Sequence, residues 1–129
     1  TYFILLSTEK NGFKEPETIV EIYNFAKMYL DEVYADQNKM TNKEWLKKTA
    51  FVELSIGQAC AALGNFKNCE SHLRQSITHG RPLAAYYLAE LMFSKKIEQK
   101  FDNEMIQIYE YAANKGISEA KKKLATLKK

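Results

Sequence analysis

Apolar residues recur at helical intervals along most of this chain, and short polar breaks divide them into segments. Ile19, Ile22, Tyr23, Phe25, Ala26, Tyr29, Leu30 and Val33 predict a helix from about residue 16 to 35, opened by Pro16. Thr41 followed by Glu44 has the spacing of a capping box, and Trp45 through Leu63 then carries apolar residues at helical intervals. Gly64-Asn65 reads as a turn, with Gly suited to a left-handed helix end and Asn65 to capping the next helix. Phe66 through His79 forms the partner helix, closed by Gly80. Pro82 cannot continue that helix but can open the following one, Leu83 through Phe93. A polar connection, Ser94 to Phe101, leads into Asp102 through Lys115, and Gly116 precedes a last helix, Ile117 through Lys129.

A repeat underlies this order. Ala50-Phe51-Val52-Glu53-Leu54-Ser55, Ala84-Ala85-Tyr86-Tyr87-Leu88-Ala89 and Ala120-Lys121-Lys122-Lys123-Leu124-Ala125 each read small-x-x-x-Leu-small, and their starts lie 34 and 36 residues apart. His79-Gly80 and Lys115-Gly116 share the 36-residue period. Glu21-Ile22-Tyr23-Asn24-Phe25-Ala26 also matches Gln107-Ile108-Tyr109-Glu110-Tyr111-Ala112 in residue type. A helix pair buries only one side of itself, so pairs repeating at this period are expected to stack. The pattern divides a single domain, residues 1–129, into a degenerate first repeat (1–35), a connecting insertion (36–44), repeats at 45–80 and 81–116, and a capping helix (117–129). Tyr2–Lys10 would be the first helix of the degenerate unit.

The run from Ala84-Ala85-Tyr86-Tyr87-Leu88-Ala89, through Tyr109, to Ala112-Ala113-Asn114-Lys115-Gly116-Ile117-Ser118-Glu119-Ala120 resembles a Sel-one-like repeat, a subclass of tetratricopeptide-like solenoids. Leu63-Gly64-Asn65-Phe66 with Cys69, Leu73 and Ser76 resembles the turn and second helix of a tetratricopeptide unit. The departure is Lys95-Lys96-Ile97-Glu98, where the family has a glycine-rich loop. The resemblance implies an all-α, right-handed superhelical solenoid of about three antiparallel helix pairs plus a cap. It also implies a protein partner held in a concave groove lined by first helices. Carried onto this sequence, the groove residues are Val52, Ile56, Ala59, Tyr86, Glu90 and Phe93, with Tyr86 and Phe93 as aromatic anchors. The competing reading places both aromatics in the core. Small bacterial Sel-one-like proteins also serve as immunity proteins, so neutralising a cognate secreted toxin enzyme is the alternative function.

Composition narrows the rest. The net charge of +3 is too small to call for nucleic acid, which a dense basic patch would signal. No apolar run is long enough for a membrane span. Tyr2-Phe3-Ile4-Leu5-Leu6 lacks the flanks of a secretory signal and reads as a first buried turn. Cys60 and Cys69 flank the Gly64-Asn65 turn at distances that suit a disulfide across the hairpin, or else two small buried thiols. A bridge would imply the bacterial periplasm or a secreted chain, and its absence the cytoplasm. Cys69, His72 and His79 with Cys60 are spaced too loosely for a structural zinc site, and His79 is expected at the surface near a helix end. With no nucleophile elbow, phosphate-binding loop or zincin motif, the sequence points to a chain without catalysis, metal or cofactor. Lys121-Lys122-Lys123 and Lys128-Lys129 read as a solvated helix end.

Overall fold

The computed structural model describes residues 16–127, and these form six α-helices joined by short connections, with no strand among them. The expected Tyr2–Lys10 helix and Lys128-Lys129 lie outside the described residues. Helix α1, Pro16–Ala35, buries Ile19, Ile22, Ala26, Leu30 and Val33. Their spacing of three and four residues makes one seam along the helix. The stretch read as an insertion holds a 3-10 turn, Gln37–Lys39, with an exposed Lys39–Asp36 ion pair at 3.6 Å.

Helix α2, Asn42–Ala62, starts three residues earlier than the apolar pattern indicated, because Thr41 caps it. The Thr41 hydroxyl accepts from the Glu44 N–H at 3.1 Å, as the capping-box spacing requires. Every residue from Thr49 to Gly57 is buried, on all sides of the helix. A helix buried all round is a central one, and α2 is packed between α1 and α3, Phe66–Thr78. Its buried hydroxyls are satisfied locally: Thr49 donates to the Trp45 and Leu46 carbonyls, and Ser55 to the Phe51 carbonyl. Ser76 of α3 donates to the Ala50 carbonyl, tying the two helices together.

The turn between α2 and α3 is a Schellman motif. Gly64 has φ +83°, its N–H bonds to the Ala61 carbonyl, and the Asn65 N–H bonds to the Cys60 carbonyl. Gly80 and Gly116 end their helices with the same pair of bonds. Helix α4, Pro82–Phe93, begins with its proline in the first turn and ends the same way, but with Lys95 at φ +63° in the glycine position. Helices α5, Glu104–Asn114, and α6, Ser118–Leu127, complete the described chain. Each helix packs principally on the helix before and after it in sequence.

Two apolar clusters result. The first joins α1 to α4 through residues such as Ala26, Leu54, Ile56, Leu73 and Leu88, with Ile97 of the following loop. The second surrounds Tyr109 with Ala85, Ala89, Ala112, Ala113, Ala120 and Leu124. Helix α4 serves both, turning Ala84, Leu88 and Met92 to one and Ala85 and Ala89 to the other. The positions spaced 34 and 36 residues apart are alike in burial: Ala50, Ala84 and Ala120 are all buried, and so are Leu54, Leu88 and Leu124.

Candidate functional site

The six groove residues divide between core and surface. Val52, Ile56 and Ala59 are each 0% exposed and form part of the interior around α2. Their assignment to a partner-binding groove is corrected: α2 has neighbours on every side over this stretch, and no surface remains there to offer. The pattern that suggested a first-helix groove face was the middle of a central helix.

Tyr86, Glu90 and Phe93 behave differently. They follow at intervals of four and three residues on α4, so they line one stripe of it. Tyr86 and Glu90 are half-buried and Phe93 is 47% exposed. Helix α6 adds Lys123, whose Nζ lies 3.5 Å from the Phe93 ring centroid and 3.8 Å from Glu90 Oε1. Tyr109 of α5 is fully buried, and its hydroxyl donates to Glu90 Oε1 at 2.6 Å. The Tyr86 ring lies 6.3 Å from Tyr109 and 5.7 Å from Tyr87. Burial first, then the charges of Glu90 and Glu119, hold the Tyr86 phenol above its ordinary range. Helices α4 and α6 thus place two aromatic rings, a carboxylate and an ammonium on one side, over the buried Tyr109 of α5.

A concavity of about 430 Å³ opens elsewhere, between α3 and α5 over the flank of α4. Its walls include Ile77, Ala85, Leu88 and Ile108, with the exposed rings of Phe101 and Tyr111 at its edge. Arg74 spans it, bonding Glu70 at 2.9 Å and the buried Glu104 at 3.1 Å. Glu104 also accepts from the Lys100 N–H at 2.7 Å. This cross-helix network had no local sequence signal, since Arg74 and Glu104 lie 30 residues apart.

The structure also assembles a buried polar pair. Glu53 is 0% exposed, and its Oε1 hydrogen-bonds His79 Nδ1 while Oε2 has no partner. Trp45 stands edge-on to the His79 ring and to Tyr34, 5.4 Å from each. Burial pushes the Glu53 carboxyl above its ordinary value, against the lowering effect of His79. His79 is therefore not the surface residue its helix-end position suggested; its side chain is 18% exposed and occupied by the carboxylate. It stands apart from His72, whose ring burial holds below its ordinary pKa, and no group of three or more His, Cys, Asp or Glu residues is placed to hold a metal among the described residues.

Cys60 and Cys69 are both free and buried, so the bridge drawn from their spacing is not formed. Burial raises both thiols, Cys69 to about 12 with Cys60 and Glu70 adding to the effect. They act as small apolar residues between α2 and α3. No family model, curated protein or solved structure matches the chain. The function must be read from this geometry. Among the described residues no helix is long and apolar enough to cross a membrane.

Proposed function

We propose that the chain is a non-catalytic protein-interaction module, built as a short solenoid of stacked helix pairs, that holds a partner protein on the α4 stripe of Tyr86, Glu90 and Phe93. One observation carries the reading: Phe93 is held half-exposed on α4, one turn from the Glu90 carboxylate and under the Lys123 ammonium of α6. Such a mixture of aromatic anchor and polar rim is the anatomy of an interface centre. The stacked-pair arrangement is supported by helices that meet their sequence neighbours and by equal burial at the 34- and 36-residue repeat positions.

The test compares affinity capture by the wild type with capture by Tyr86→Ala and Phe93→Ser. Both variants should melt as cooperatively as the wild type and lose a partner that the wild type retains. Retention of every captured protein by both folded variants would remove the α4 stripe from consideration. A partner that proves to be one enzyme, with turnover abolished on binding, would give the inhibitor form of the same function.

A further inference from the structure

The α4–α6 face already contains a bound cation, and it comes from the chain itself. Lys123 sets its ammonium against the Phe93 ring at 3.5 Å and near the Glu90 carboxylate at 3.8 Å. Its side chain is only 24% exposed, so a long solvated residue has been drawn down onto the face. An aromatic face next to a carboxylate attracts an ammonium or guanidinium through both the ring quadrupole and the charge. Glu90 and Lys123 balance each other, so the seat carries an unpaired negative charge as soon as Lys123 leaves it. The neighbouring Lys121 and Lys122 are exposed, and their positions on α6 turn them away from the buried Ala120–Leu124 side. The overall charge of +3 therefore does not describe this surface.

Building on the interaction reading above, we propose that this face receives a lysine or arginine side chain from the partner, with Lys123 as the internal occupant that the incoming cation replaces. The incoming group would lie over Phe93 and against Glu90, where the Lys123 ammonium now sits. Lys123 would swing into solvent, where an ammonium on a four-carbon stem is readily hydrated. The occupant restrains weak binders, since only a cation better placed than Lys123 gains from entering. A membrane or nucleic acid offers negative charge and fits this face poorly.

The test uses two short probe peptides, one alternating glycine with lysine and one alternating glycine with glutamate, titrated against the folded chain while the Phe93 ring signals are followed by NMR. Lys123→Ala should bind the lysine peptide about two- to fivefold more tightly than the wild type, the range an exposed cation–π contact sets. Lys122→Ala, which removes the same charge away from the face, should leave affinity unchanged. Adding Glu90→Gln to Lys123→Ala should return it to the wild-type value. Equal affinity of Lys123→Ala and wild type, an equal gain from Lys122→Ala, or preference for the glutamate peptide would each overturn the proposal. If the peptides are not discriminated but Phe93→Ser still loses a captured partner, the cation seat falls and the interface stands. If Phe93→Ser keeps every partner, the interface reading itself falls.

Discussion

Lys95 occupies a backbone position that three glycines fill elsewhere in the chain. At φ +63° its Cβ crowds the backbone, a strain of about 1–2 kcal/mol that glycine lacks. The same two carbonyl bonds form there as at Gly64, so the conformation is imposed by the helix end and not by the residue. Lys95→Gly should raise stability by about 1 kcal/mol and the thermal midpoint by about 3–6 °C; a lowered midpoint would show that the lysine side chain contributes something the backbone argument omits. Glu53 is a second residue that is costly to keep. Its carboxyl faces His79 at the end of α3 and the Tyr34 phenol of α1, and burial outweighs the help from His79. The folded carboxyl thus holds its proton to higher pH than the unfolded one, whose ordinary value is 4.5. The folded state binds the extra proton between the two values, so this stabilisation is complete below the unfolded value and is lost as pH rises through the folded one. Glu53→Gln has no proton to release. Its melting temperature minus that of the wild type should grow as pH rises from about 4 to 7, and a flat difference would contradict the burial argument.

At the scale of elements, α2 shows how local rules yield to packing. Gly57 is a poor helix residue, yet a Cβ built there would meet Leu73 Cδ2 at 2.9 Å and Cγ at 3.0 Å. Alanine would gain about 0.8–1.0 kcal/mol in helix propensity, but overpacking costs about 1–3 kcal/mol, and Leu73 is itself buried with little room to shift. Gly57→Ala should therefore lower stability by about 1 kcal/mol in urea unfolding, against its propensity; an increased midpoint would show that Leu73 gives way easily. The helix boundaries themselves were legible, because caps and breakers are short-range chemistry. Thr41, Gly64 and Gly116 act through hydrogen bonds within a few residues of their position, and Pro82 through its fixed φ and missing N–H. Which face of each helix is covered was less legible. Burial around α2 depends on α1 and α3 together, so Val52, Ile56 and Ala59 passed for groove residues.

Across the whole molecule, the described chain carries two clusters in series joined by α4. Contacts run between sequence neighbours, so a local lesion should stay local. Tyr109 fills the second cluster with 0% exposure and anchors its hydroxyl on Glu90. Tyr109→Ala should speed amide hydrogen exchange in residues 104–127 by orders of magnitude while protection in α2 and α3 remains near wild type. A uniform loss of protection would mean that the two clusters fold as one unit. Neither cysteine enters this account as a cross-link, since both are thiols inside the first cluster.

The order of the described helices, and their ends to within a few residues, follow from the sequence alone, since periodicity, capping hydroxyls, prolines and left-handed glycines act within one or two turns of the backbone. Tertiary structure decided which apolar stripe became interior and which stayed outside, and it paired residues far apart in the chain: His79 with Glu53, Arg74 with Glu104, Lys123 with Phe93. Those pairings depend on the angle and register at which helices meet, which many side chains set jointly and no local pattern encodes.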